Sequence, residues 1–267
     1  MFEGLIIGLY IPGSSHLHKL DPRTKLIGLI LFIILLFLQT NYLIIALNTV
    51  FLGLLLIMAK VPLKSFLKGL KPILFFASLT LLIHLFFTPG STLLSFGKIT
   101  ITSEGAYRGG LMATRLVLLI GYSTILTLTT SPIQLTYGLE KILNPLSKAG
   151  IPVTQFAMMV SIALRFLPTL ALEADKLIKA QVSRGAQLNE GSLIKRGYSL
   201  VPIIVPLFVS TFRRAEELAV AMETRCYGGG ERTRMYELSF KRVDYMAFGV
   251  MVVYLAMFFA LQCNLLI

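Results

Sequence analysis

Two arginines stand between small residues at the ends of long charged segments: Arg184 in Ser183-Arg184-Gly185 and Arg225 in Thr224-Arg225-Cys226. A guanidinium carries five N–H donors in a rigid fork, so at a segment tip it is open to carboxylates or backbone carbonyls of a second protein. A single arginine at a helix end more often satisfies its own last carbonyls or sits in water. Two matching triplets in one chain point instead to a pair of docking tips.

Other reactive constellations are missing from the sequence. Gly228-Gly229-Gly230 is not followed by the Lys-Ser/Thr of a phosphate-binding loop, and neither Gly-x-Ser-x-Gly nor His-Glu-x-x-His occurs. His16-x-His18 lacks a third ligand, so no metal site is expected there, and Asp21 beside it reads as a hydrogen-bond partner. The expectation is a non-catalytic protein without cofactor or metal. Gly228 to Gly230 then serve as a stop that turns the chain back.

The elements that position the tips belong to a membrane protein. Of 267 residues, 55% are hydrophobic and 14% charged, with a mean hydropathy of +0.78, a balance unsuited to a water-exposed surface. The opening residues Met1-Phe2-Glu3 lack a basic leader region, and the first segment is expected to stay. The net charge of +12 sits in flanks of apolar runs and in no recognition module, which excludes nucleic acid as a partner and leaves the lipid bilayer. Cys226 and Cys263 do not form a disulfide framework.

Apolar runs at Leu26–Leu38, Tyr42–Ala59, Pro72–Phe87, Leu111–Thr129 and Tyr245–Leu261 predict five spans of a hydrocarbon core about 30 Å thick. Lys25 is expected to snorkel to the interface, and His84 to make a helix–helix hydrogen bond. Lys60, Lys64, Lys68 and Lys71 put the second connection inside, which leaves the N-terminus inside and the C-terminus outside. In the outer loop, Gly97 to Thr102 alternates with a strand-like period and predicts a small hairpin. The pair Gly4 and Gly8 is spaced for close helix packing.

Between Gln134 and Asp244 lie 15 of the 25 Lys and Arg and 10 of the 13 Asp and Glu. This block predicts three helical pieces: Gln134–Lys148, Thr154–Ser183 ended by Gly185, and Ser192–Thr224, with kinks at Pro168, Pro202 and Pro206. A helix from Thr154 to Gly185 would be about 48 Å long. Phe156 to Leu170 and Leu200 to Phe212 are apolar enough to enter the bilayer, but a spanning hairpin would carry Lys176, Lys179, Arg184, Lys195 and Arg196 outside. Helices at the inner interface are therefore expected. Arg165, Arg213 and Arg214 are expected to pair internally with Glu173, Glu216 or Glu217.

The stretch Tyr10-Ile11-Pro12-Gly13-Ser14-Ser15-His16-Leu17-His18-Lys19-Leu20-Asp21-Pro22-Arg23-Thr24-Lys25, together with the two triplets and Tyr227 to Arg234, resembles the transmembrane T component of energy-coupling-factor transporters. The resemblance covers essentially the whole chain. It implies an all-α polytopic fold, with a membrane domain at 1–133, a cytoplasmic coupling module at 134–242 and a last span at 243–267, in the plasma membrane of a prokaryote. It implies as partners two cytosolic ABC-type ATPase subunits and a membrane substrate-binding component for a vitamin or metal ion, with several such components able to interchange.

By the same resemblance Ser183, Arg184, Gly185, Thr224, Arg225 and Cys226 form the ATPase-docking tips, where the family's triplet is usually Ala-Arg-Gly. Cys226 departs from that pattern, because cysteine enters the left-handed backbone region less readily than glycine. Met158, Met159, Phe166 and Leu170 are the expected contacts to the substrate-binding component, since thioether chains repack against partners of differing shape. The rival reading, a self-contained secondary carrier, would need ionisable groups at mid-membrane and a repeated half, and neither is visible.

Overall fold

The computed structural model describes residues 10–39, 41–96, 99–186, 192–228 and 239–264. Its helices are α1 (His16–Lys19), α2 (Pro22–Leu38), α3 (Tyr42–Ala59), α4 (Leu63–Phe87), α5 (Ser103–Thr129), α6 (Pro132–Leu143), α7 (Val153–Ser183), α8 (Leu193–Glu223) and α9 (Arg242–Asn264). Strands β1 (Thr92–Phe96) and β2 (Ile99–Thr102) pair antiparallel between α4 and α5, so the predicted hairpin exists and begins earlier than its alternating pattern. Gly97 and Lys98, Gly4 and Gly8, and the stretch from Gly229 to Arg234 lie outside the described residues.

Among the described residues, five helices are long and apolar enough to cross a membrane: α3, α4, α5, α7 and α9. Four contain predicted spans. The expected first span falls in α2, which has 17 residues and reaches only about 25 Å. α7 also qualifies by length and composition, because Val153 to Leu170 carries a single charge, Arg165, and the acids and lysines follow afterwards. The chain is thus an all-α multi-pass membrane protein with one small hairpin.

Two compact units divide the chain, Leu9–Thr154 with Leu238–Ile267 making one and Gln155–Glu237 lying in the other. Inside the first, Phe32 of α2 stacks on Tyr122 of α5 at 4.9 Å and meets Tyr254 of α9 edge-on at 5.1 Å. These rings surround Asn48 of α3, which is fully buried in an otherwise apolar run. Tyr254 Oη donates to Asn48 Oδ1 at 2.7 Å, Tyr122 Oη to Asn48 O at 2.9 Å, and Asn48 Nδ2 to Gln39 Oε1 at 3.0 Å. A lone amide in hydrocarbon costs too much unless its bonds are met, so this network specifies how α2, α3, α5 and α9 register.

α4 and α5 approach closely at Gly105 and Gly109, a small-xxx-small pair: a Cβ at Gly105 would fall 2.5 Å from His84 O, and one at Gly109 3.0 Å from His84 Cβ. His84 itself bonds within its own helix segment, Nδ1 to Thr88 Oγ1 at 3.3 Å. The expected bond to a neighbouring helix is replaced by backbone contact, because glycine brings α5 too near for an intervening side chain.

The N-terminal signature is a structural knot. Ser15 caps α1, and its Oγ lies 2.6 Å from His18 Nδ1, while His18 Nε2 donates to Ile11 O at 3.0 Å. Both ring nitrogens are thereby occupied by the chain itself. Ile11 N–H bonds Leu128 O at 3.0 Å, at the end of α5. Asp21 caps α2 through Arg23 N–H at 2.9 Å. Lys25 does not snorkel: its Nζ donates to Thr129 O and Thr130 Oγ1, both at 3.0 Å, because a helix terminus next door offers acceptors the bilayer lacks.

Asp244 closes the knot from the far end of the sequence. It is fully buried in the third position of α9, and its carboxylate accepts from Asp21 N–H (2.8 Å), Thr24 Oγ1 (3.3 Å) and Lys241 N–H (2.8 Å). One side chain thus caps α9 and fastens it to the start of α2.

Candidate functional site

α7 and α8 are the predicted long pieces, found at Val153–Ser183 and Leu193–Glu223. Three internal prolines, Pro168, Pro202 and Pro206, lie within continuous helix. Ser192 caps α8 by accepting from Lys195 N–H at 3.4 Å. Glu173 of α7 pairs with Arg214 of α8 at 2.9 Å and accepts a short hydrogen bond from Ser210 Oγ. Met158, near the start of α7, touches the Tyr227 hydroxyl beyond the end of α8. Contacts at 158 with 227 and 173 with 210 and 214 run in opposite chain directions, so the helices are antiparallel.

Both arginines occupy the same position in the same terminating motif. Gly185 N–H bonds Val182 O at 2.9 Å and Ala186 N–H bonds Gln181 O at 3.0 Å, with Gly185 at φ 86°. At the other tip Cys226 N–H bonds Glu223 O at 2.9 Å and Tyr227 N–H bonds Met222 O at 3.0 Å, with Cys226 at φ 55°. This is a Schellman ending: the arginine is the last right-handed residue and its successor is left-handed. The orphan carbonyls are taken by backbone N–H groups.

The small residue before each arginine turns its hydroxyl back onto its own helix, Ser183 Oγ to Lys179 O at 3.0 Å and Thr224 Oγ1 to Ala221 O at 3.1 Å. All six triplet residues are exposed. Among the described residues, neither Arg184 nor Arg225 lies within ion-pair distance of a carboxylate. The tips sit at opposite ends of the pair: Arg225 is two residues from Tyr227, beside Met158, and Arg184 is 26 positions further along α7, about 39 Å away.

Cys226 pays for its left-handed backbone where Gly185 does not, at roughly 1 kcal/mol. Cys226→Gly is expected to slow hydrogen exchange of the last-turn amides of α8 about fivefold. Unchanged exchange in the glycine variant would show that the left-handed cysteine carries no strain.

Arg213 pairs with Glu217 at 3.5 Å on the α8 surface, as expected, and Arg165 is exposed. Glu173 and Arg214 hold α7 to α8 at mid-length, and each is partly exposed. Glu173→Arg should loosen the pair and the added Arg214→Glu should restore it, with a coupling of about 1 kcal/mol in a double-mutant cycle of thermal unfolding. Strict additivity would show that the two charges do not interact.

Of the four residues expected to meet a membrane partner, Met159 is 55% exposed, whereas Met158, Phe166 and Leu170 are half-buried. The apolar stretch Leu200 to Phe212 noted in the sequence forms one exposed face of α8, with Val201, Ile204, Val205, Phe208, Val209 and Phe212 at spacings of three and four. No group of three or more potential metal-ligating side chains occurs among the described residues.

These features define a class: an all-α multi-pass membrane protein whose paired long helices end in two equivalent, exposed arginines. Residues 13–237 match the CbiQ family model, described as "Cobalt transport protein". The chain is 47% identical over 256 residues, 96% of each chain, to the "Energy-coupling factor transporter transmembrane protein EcfT" of Ruminiclostridium cellulolyticum. It is 46% identical to the protein of that name from Thermosediminibacter oceani (91% of this chain, 92% of the relative), and 49% to that from Brevibacillus brevis (90% and 91%). The chain therefore belongs to the family of transmembrane T components of energy-coupling-factor transporters.

Proposed function

We propose that this subunit, itself without catalytic activity, passes ATP-driven motion from two cytosolic ABC-type ATPases to a membrane substrate-binding component that imports a vitamin or metal ion. The observation that carries this reading is the equivalence of the two tips: the same cap, the same exposed arginine, a hydroxyl turned away on one side and a left-handed residue on the other. A separation of about 39 Å is comparable with the width of one compact domain, so two ATPase subunits side by side can each take one tip.

In this reading residues 134–242 form the cytoplasmic coupling module, and α7 and α8 lie along the inner interface of a prokaryotic plasma membrane. The N-terminus is cytoplasmic and the C-terminus outside. Met158, Met159, Phe166 and Leu170, with the exposed face of α8, meet the substrate-binding component. Rigid helices some 46 Å long carry displacement at a tip to that face.

The test is uptake in proteoliposomes holding this chain, both ATPases and a substrate-binding component, with and without ATP. ATP-dependent uptake that vanishes when this chain is omitted is expected. Ion-driven uptake by this chain alone would replace the proposal with a secondary carrier.

A further inference from the structure

The structure assigns a second interaction surface to this protein, a lysine stripe on α4 that binds the phosphates of anionic phospholipid headgroups. Lys64, Lys68 and Lys71 are all exposed, and in helical projection they fall within about 60° of one another. Lys60, also exposed, adds a fourth cation from the α3–α4 turn, where it sits at φ 52° with its N–H on Ile57 O at 3.2 Å.

Three observations identify the occupant. The first is charge: no Asp or Glu occurs between Asp21 and Glu104, and none of the four lysines has a carboxylate within ion-pair distance among the described residues. Three exposed cations on one face of α4, with a fourth in the turn before it, call for an anionic partner.

The second is what the same face becomes further along. Phe75, Leu79, Leu82 and Phe86 continue the lysine stripe within an arc of about 80° and are all exposed. The cationic part is about 10 Å long and the apolar part about 17 Å, which matches a headgroup layer followed by half of a hydrocarbon core about 30 Å thick. An acidic protein surface would meet the lysines but would leave the phenylalanines and leucines unexplained; a lipid with a phosphate and acyl chains meets both.

The third is a recess of about 230 Å³ beside Lys60, lined by Pro12, Gly13, Ser14, His18, Lys60 and Val61. It opens beside Lys60 at the cationic end of the stripe, with Ser14, Ser15 and Lys60 supplying polar groups among apolar ones. Lysines near an anionic leaflet each strengthen binding by about fivefold, so loss of three is expected to weaken it by tenfold or more.

The test uses the assembled transporter, purified and delipidated, titrated with dioleoyl phosphatidylglycerol or dioleoyl phosphatidylcholine and read by native mass spectrometry. The wild type should retain phosphatidylglycerol in preference to phosphatidylcholine, and added salt should weaken that preference. A Lys64→Gln, Lys68→Gln, Lys71→Gln variant should lose it by tenfold or more. If the triple variant does not assemble, Lys68→Gln alone should lower retention severalfold. Equal retention of both lipids by the wild type, or undiminished phosphatidylglycerol on the variants, overturns the assignment. So does loss of a partner subunit from the triple variant with lipid preference intact, which would make the stripe a protein contact.

Discussion

Arg184→Glu combined with Arg225→Glu should strip both ATPase subunits from the purified chain while leaving its insertion and helix content unchanged. Each arginine is exposed, and its backbone ending is held by main-chain bonds that the substitution leaves in place. The loss is therefore one of binding and not of folding. A central interfacial arginine commonly contributes 2 kcal/mol or more, and a reversed charge adds repulsion against whatever carboxylate or carbonyl received it. Two tips together then weaken association by on the order of a thousandfold or more. Either single variant should keep one ATPase attached and lower ATP-dependent uptake steeply. Co-purification of the co-expressed subunits reads the outcome, and full retention by the double variant would remove both tips from the docking surface.

The other large effect is expected far from the tips. Asp244→Ala leaves the N–H groups of Asp21 and Lys241 and the hydroxyl of Thr24 without their acceptor, in a place where Asp244 itself is fully buried. Orphaned buried donors cost about 1–3 kcal/mol each, so a loss of about 3–5 kcal/mol follows. Thermal unfolding in detergent should show a large fall in midpoint for the alanine variant. Asp244→Asn should fall less, because one acceptor oxygen remains while an amide faces a donor. A midpoint for Asp244→Ala close to wild type would mean that other groups hold α9 in place.

Much of the architecture was legible because hydrophobic run length and charge placement are local properties of the chain. Tyr42–Ala59 matches a helix at both ends, and the charged pieces resolve into α6, α7 and α8 with boundaries close to those read from Ser192 and Gly185. Run length leaves α7 open, because it is apolar in its first half and charged in its second: the apolar half is long enough to cross a membrane, while the charged half suits the interface.

The site divides in the same way. The arginines, their small neighbours and the anomaly of Cys226 all follow from residue type and local spacing, because a helix terminus is specified within five or six residues. That Cys226 takes the left-handed conformation despite its cost, that the tips lie at opposite ends of an antiparallel pair, and that Glu173 finds Arg214 came only with the fold. So did the bond between Asp21 and Asp244, 223 positions apart, and the closing of Tyr122 and Tyr254 around Asn48. Contacts between residues distant in sequence depend on how whole helices pack, and no local pattern encodes that choice.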